Sequence, residues 1–348
     1  MAQSLASITS PHIERVVPAA AIPGGEMTIY GSGFASGNHS RPVVRFGAAN
    51  ADVLFHSSRY LIARVPENAE GTVHVETSSG ESGPHPVSIG RMIADNLHPV
   101  ANPAVDVEGN IFVTFSGQRG KRVPVSLYRV TANFDVKPFT TSLINPSGLA
   151  LDRQGVLYVT CRNDGTVYRV TSDGRAELYI EGMGIATGIT FDHADNLYVG
   201  DRSGTIFKID REKQIFVFAT LEPSIAFYHL AFSPTGDLYV CGPTTSSFDR
   251  IVRISPNGET SVFFRGLGRP QGMAFDRGGN LYVAASVGGR RGVVRITPDA
   301  NAELALTGSD VVGLAVMPAH RAYITTSSAL FSVDWDVDGL PLPVGATH

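Results

Sequence analysis

From residue 9 to about residue 89 the chain alternates apolar and polar positions in short runs: MTIYGSGF, PVVRFG, YLIARVP and TVHVETSS. A period of two over such lengths marks strands with one buried face, and the clusters PGGE and SSGESG supply turns. Segment 9–89 is therefore predicted as a small antiparallel sandwich. No run of about 18 apolar residues occurs, so no membrane-spanning helix is expected.

After residue 90 the alternation continues with a longer rhythm laid over it. NPAVD (102–106), GLALD (148–152), GITFD (188–192), HLAFS (229–233), GMAFD (272–276) and GLAVM (313–317) are copies of one anchor, spaced 46, 40, 41, 43 and 41 residues apart. Each leads through a polar turn into a second strand: IFVTF, LYVTC, LYVGD, LYVCG, LYVAA or AYITT. A third strand follows, as in SLYRVT and GTVYRVT, and then usually a fourth, such as AELYIEG or TSVFFRG. Four short strands about every 42 residues is the pattern of a propeller blade, and six copies predict six blades over 90–345. GRMIADN (90–96) reads as a fourth strand lacking its own first three. It is expected to complete the last blade, beside or instead of LPLPVG (340–345), because closure removes exposed sheet edges. The predicted fold class is all-β, a small sandwich plus a six-bladed propeller.

The 37 glycines and 21 prolines suit short strands joined by tight turns, and a hydrophobic fraction of 43% with a charged fraction of 17% fits a well-buried globular protein rather than a disordered one. A net charge of -4 gives no reason to expect a nucleic-acid partner. Two cysteines, Cys161 and Cys241, make neither a disulfide framework nor a metal motif. The start MAQSLASITSPHIERV has neither a basic region nor an apolar core with a cleavage site. A cytoplasmic protein is expected, or an extracytoplasmic one where a signal has been removed.

PHIERVVPAAAIPGGEMTIYGSGF, VRFG (44–47) and ARVPENAEGTVHVET together resemble the IPT/TIG family of immunoglobulin-like domains, in order and over nearly the whole first segment. The resemblance implies a spacer or a module that docks a protein partner. The turns DRQGVLY and DRGGNLY make the second segment similar to NHL and gluconolactonase/regucalcin-type propellers. That resemblance implies six blades and a central channel, and for its lactonase branch a divalent cation held there by carboxylates and an asparagine.

With the innermost strand first in each blade, the loops entering strand one and leaving strand two share the face around the channel. Arg119, Lys121, Arg122, Arg162, Arg202, Arg250, Arg290 and Arg291 fall on it, against Asp164, Asp201 and Asp249. The opposite face takes Asp106, Glu108, Asp152, Asp192, Asp195, Asp237 and Asp276, against Arg153 and Arg277. A basic mouth selects anions by field and by bidentate arginine contacts. The positions before the anchors are Ala101, Ser147, Thr187, Tyr228, Gln271 and Val312, and the anchors themselves are Asn102, Gly148, Gly188, His229, Gly272 and Gly313. Glycine fits a crowded ring, and Asn102 and His229, three blades apart, are expected to face each other across the axis.

The candidate ligand-binding residues are thus Asn102, Ser147, Thr187, Tyr228, Gln271, Arg119, Arg162, Arg202 and Arg290. His229, a base suited to neutral pH, and Asp201 are the candidate catalytic pair. The lactonase motif positions read PSGL and PQGM here, with Ser147 and Gln271 where the family carries metal ligands. No cofactor or metal ligand is predicted, and a calcium ion would have only Asp201, Asn102 and His229. RNA binding would need aromatic platforms beside the arginines, and only Phe115 and Phe248 qualify. The expected function is ligand binding or scaffolding, with the mouth taking a small anionic molecule, a sugar acid or another carbohydrate. The alternative is gluconolactonase-like hydrolysis of sugar lactones in the channel.

Overall fold

The structure, a computed structural model, describes residues 10–34, 41–245 and 249–342, and every regular element in them is a strand. Phe248, residue 9 and the end of LPLPVG (343–345) lie outside the described residues. No described helix is long and apolar enough to cross a membrane. The chain divides into two compact units, one of residues up to 91 with 304–309 and 333–335, the other of the remainder.

In the first unit the strands run in the order His12–Val17, Glu26–Ser32, Tyr60–Arg64, Ala49–His56, Val43–Phe46, Thr72–Thr77 and Gly80–Glu81. Alternation does the sorting: Met27 and Ile29, Leu61 and Ala63, and Val73 and Val75 point inward. They close on Phe34 and Phe46, both fully buried, to give the unit its own core. This is an immunoglobulin-like sandwich.

The remaining sheets form a β-propeller. Four of its sheets follow the chain: 104–140, Pro146–Ile180, Ala186–Thr220 and His229–Leu267, each four antiparallel strands in sequence order. A fifth four-stranded sheet runs Val311–Met317, Arg321–Thr326, Leu330–Asp334 and then Arg91–Ala94. GRMIADN thus supplies the outer strand of the last blade, and residues 340–342 form no strand. Met273–Phe275, Leu281–Val287, Arg290–Ile296 and Ala302–Thr307 repeat the same order within a sheet of six strands.

The aspartate of each DxxG turn has a local job. Asp152 Oδ1 accepts the amides of Gln154 and Val156, at 3.0 and 2.8 Å. Asp276 accepts the Asn280 amide (2.8 Å), its side-chain NH2 (2.8 Å) and the Tyr282 hydroxyl (3.2 Å). Where the fourth anchor ends in Ser233 rather than aspartate, the serine hydroxyl takes over, accepting the Asp237 amide at 3.1 Å. Most of the carboxylates predicted to make one face acidic therefore close turns.

At the other ends of the blades the inner strands crowd together. A Cβ added at Gly148 would lie 2.6 Å from Thr187 O, and one at Gly188 2.5 Å from Tyr228 O. At Gly272 it would lie 2.6 Å from Gly313 Cα, and at Gly313 2.5 Å from Ala101 O. Each anchor glycine abuts the backbone of the following anchor, so the ring is packed main chain against main chain. Replacing Gly188 by Ala is expected to destabilise the propeller by about 1–3 kcal/mol, because backbone cannot yield as a side chain can. Denaturant unfolding checks this against Gly83→Ala, where an added Cβ meets nothing and the midpoint stays put.

Candidate functional site

The anchor ring is held by hydrogen bonds that cross from blade to blade. The fourth residue of strand two is Thr114, Thr160, Gly200, Cys241, Ala284 or Thr325. Thr160 Oγ1 donates to Thr187 O at 2.6 Å, and Thr325 Oγ1 to Ala101 O at 3.2 Å. Cys241 does the same work with sulfur, its thiol donating to Gln271 O at 3.1 Å. Burial raises the thiol pKa far above its ordinary value, so Cys241 stays protonated and keeps its donor.

Several predicted ligand-binding side chains belong to this bracing. Ser147 Oγ donates to Ala186 O (3.0 Å) and Thr160 O (3.2 Å), and Thr187 Oγ1 donates to Gly200 O (2.9 Å) while accepting the Tyr228 amide (3.1 Å). The Tyr228 hydroxyl donates to Glu222 O. Gln271 Oε1 accepts from Arg291, whose guanidinium also donates to Arg269 O and Val311 O. Asn102 reaches past Gly313: its Nδ2 donates to Met273 O at 2.7 Å and its Oδ1 accepts the Leu314 amide at 3.0 Å. These two bonds turn the Asn102 amide into a clamp on the neighbouring inner strands.

The anchor glycines show where an anchor side chain is directed, which is into the adjacent blade and not across an open axis. His229 is accordingly buried, at 6% exposure, with its ring centroid 6.5 Å from that of Phe227. The expectation that it faces Asn102 across the channel assumed an anchor side chain aimed at the axis, whereas a Cβ at each anchor glycine would meet the neighbouring inner strand. Its Nε2 is nevertheless buried without a hydrogen-bond partner. Asp201 accepts the Ile185 amide at 2.8 Å through Oδ1 and the Ser203 hydroxyl through Oδ2, and a Cβ added at Gly184 would lie 2.8 Å from its Oδ1. Among the described residues no three His, Cys, Asp or Glu side chains are grouped to hold a metal ion. With Asp201 and Asn102 engaged internally, the residues present do not fit the cation of a lactonase centre.

The arginines divide by partner. Arg250 pairs with Glu222 at 2.8 Å, Arg291 lies against carbonyls, and Arg290 has contacts of its own. Arg119 and Arg202 are exposed and, among the described residues, have no carboxylate partner. Arg162 is half-buried, its Cζ 5.1 Å from the Phe227 ring centroid, and Nη2 reaches Gly117 O at 3.4 Å. Its Nε is buried with no partner, and burial together with nearby Arg119 pulls its pKa below the usual guanidinium value. Asn145, fully buried with φ of 51°, shapes this corner. Its Nδ2 donates to Gly117 O (2.8 Å) and Gln118 O (3.0 Å), and its Oδ1 accepts the Gly120 amide (2.6 Å), holding the loop that carries Arg119. Asn145 and Phe227 were not singled out from sequence. The Asn145–Pro146 step before an anchor is the available signal for the first, and nothing marked the second. Phe115 packs near His98 and Tyr128 rather than standing free as a platform.

Residues 11–91 match the family model of the IPT/TIG domain. That segment is an IPT/TIG domain. No curated protein matches the chain at a significant level. Among solved structures, the chain resembles a gluconolactonase from Xanthomonas campestris at 18% identity, over 73% of this chain and 90% of that one, with a TM-score of 0.57. It resembles an auxiliary nutrient binding protein from Bacteroides thetaiotaomicron at 11% identity, over 94% and 98%, with a TM-score of 0.53. A third likeness is to virginiamycin B lyase from Staphylococcus aureus, 14% identical over 81% and 93%, TM-score 0.52. Identities this low show the fold alone, and a propeller hosts many chemistries.

His229 generates a pH prediction. Burial lowers its pKa from 6.5 to about 4, so the neutral ring is the folded form at pH 7. The unfolded chain binds the proton more readily, so stability is whole above about pH 6.5 and falls as pH drops toward 4, by about 3 kcal/mol in all. His229→Gln should flatten that slope, as followed by denaturant unfolding at pH 7.5, 6, 5 and 4.

Proposed function

We propose that the propeller is six-bladed, the strands between Met273 and Thr307 forming its remaining blade, and that its mouth binds a small organic anion such as a sugar acid. The observation that carries this reading is Arg162: a half-buried guanidinium laid over Phe227, with Nε unpartnered and Arg119 beside it. Two neighbouring cations without a carboxylate raise each other's energy, and a carboxylate arriving between them removes that cost. The Phe227 face offers a surface for the C–H side of a sugar ring. Arg202, placed like Arg162 just after a second strand, adds to the field that draws an anion in. The IPT/TIG domain fits the role of a partner-docking module on the same chain.

Lactone hydrolysis is the weaker reading, since the groups it would use are engaged. Asp201 closes a turn, Asn102 clamps inner strands, and Ser147 braces its blade to the next.

Gluconate, glucarate and galacturonate are expected to raise the melting temperature of the protein, since they bind only the native state, and glucose is not. Arg162→Met should weaken the response at least tenfold, and raised salt should weaken it too. An equal response to glucose, or an unaltered Arg162→Met variant, rules the anion site out. A calcium-dependent rise in melting temperature, with lactonase activity lost in Asp201→Asn, would instead establish the hydrolase.

A further inference from the structure

On the DxxG side of the propeller, between the sheets 104–140 and Pro146–Ile180, lies a cleft of about 450 Å³. Its size is that of a small-molecule site. Phe112, Phe139 and Val156 contribute apolar wall, and Arg129 stands among them.

Arg129 departs from its own repeat. The third strands place a cation at this position in Arg169, Lys208, Arg253 and Arg295 as well. Arg169 is paired with Glu177 at 2.7 Å, Arg253 with Asp237 at 2.8 Å, and Arg295 with Glu303 at 2.9 Å. Glu177 is the cross-strand neighbour of Arg169, and the cross-strand neighbour of Arg129 is Lys137. A like charge therefore stands where the blade of Arg169 carries a carboxylate. Among the described residues the Arg129 side chain has no hydrogen bond or ion pair, and its Nε is buried and unsatisfied. Its guanidinium lies over the face of Phe139, 5.3 Å from Cζ to centroid, a contact that leaves the N–H groups unused.

The acids at the cleft do not serve it. Asp106 accepts the amides of Glu108 and Asn110 and the side-chain NH2 of Asn110, which also reaches Glu108. Phe112 replaces the tyrosine found at this place in the blades of Tyr158, Tyr198, Tyr239, Tyr282 and Tyr323, so the wall beside Arg129 is apolar. A half-buried guanidinium whose Nε is buried and unsatisfied gains from an anionic partner.

We infer that this cleft binds a small aromatic carboxylate, its carboxylate on the Arg129 guanidinium and its ring against Phe112 and Phe139. The site is separate from the mouth and does not depend on it.

Benzoate, phenylacetate and 4-hydroxybenzoate are the probes, with benzamide as the neutral control, read by thermal shift and calorimetric titration on the full chain. The carboxylates are expected to bind and benzamide to bind at least tenfold more weakly. Arg129→Met should lower carboxylate affinity at least tenfold. So should Lys137→Glu, which gives Arg129 the cross-strand acid that Arg169 has, at an exposed position where folding is undisturbed. Arg162→Met, in the mouth, should leave benzoate affinity unchanged. The proposal is overturned if none of the three carboxylates binds at millimolar concentration, if benzamide binds as well as benzoate, or if Lys137→Glu binds like the unsubstituted protein.

Discussion

The propeller depends on main chain packing against main chain around its inner ring. Glycine at four anchors lets each inner strand press on the next, with no room for even one methyl group. Because the contact is between backbones, their polar groups need partners there. Thr160, Thr325 and Cys241 provide them from strand two, each donating to a carbonyl of the following blade. Hydroxyl and thiol are interchangeable at that place because each is a short donor directed at the same carbonyl position.

That bracing gives many polar residues near the axis hydrogen-bond partners within the fold. Ser147, Thr187 and Asn102 bond to neighbouring blades, the Tyr228 hydroxyl bonds to Glu222 O, and Asp201 holds a turn. What remains unengaged stands just outside the ring. Arg162 and Arg129 occupy opposite sides of the propeller but share one condition: a guanidinium against a phenylalanine face with a buried Nε and no carboxylate. Cation and ring attract each other, by about 0.5–2 kcal/mol, yet the in-plane N–H groups stay available. Such a pair holds an arginine in place without using its hydrogen bonds.

Much of the fold was legible because alternation and a period near 42 residues are properties of consecutive residues. The strands, the DxxG turns and the use of GRMIADN as a closing strand all follow from them. The polarity of the two faces was legible only as a count of charges. It could not show that Asp152 and Asp276 close their own turns, or that Arg250 has Glu222 as a partner. His229 was visible as the one imidazole in a row of glycines, but its direction was not. Its side chain was read as aimed at the axis, whereas the anchor glycines abut the next inner strand.

The chain by itself determined which residues are strands, which residues turn between them, and that one supersecondary unit recurs until it can close. Those outcomes depend on local spacing and on the need of each sheet to bury a face. The tertiary structure alone decided which polar side chains are free. A hydroxyl or guanidinium is available or engaged according to what the neighbouring blade places within 3 Å of it. That neighbour comes from some 40 residues away, so the decisive contact is written in no single stretch of sequence. Arg129 shows the two together: the repeat predicts a paired cation, and the fold sets Lys137 beside it.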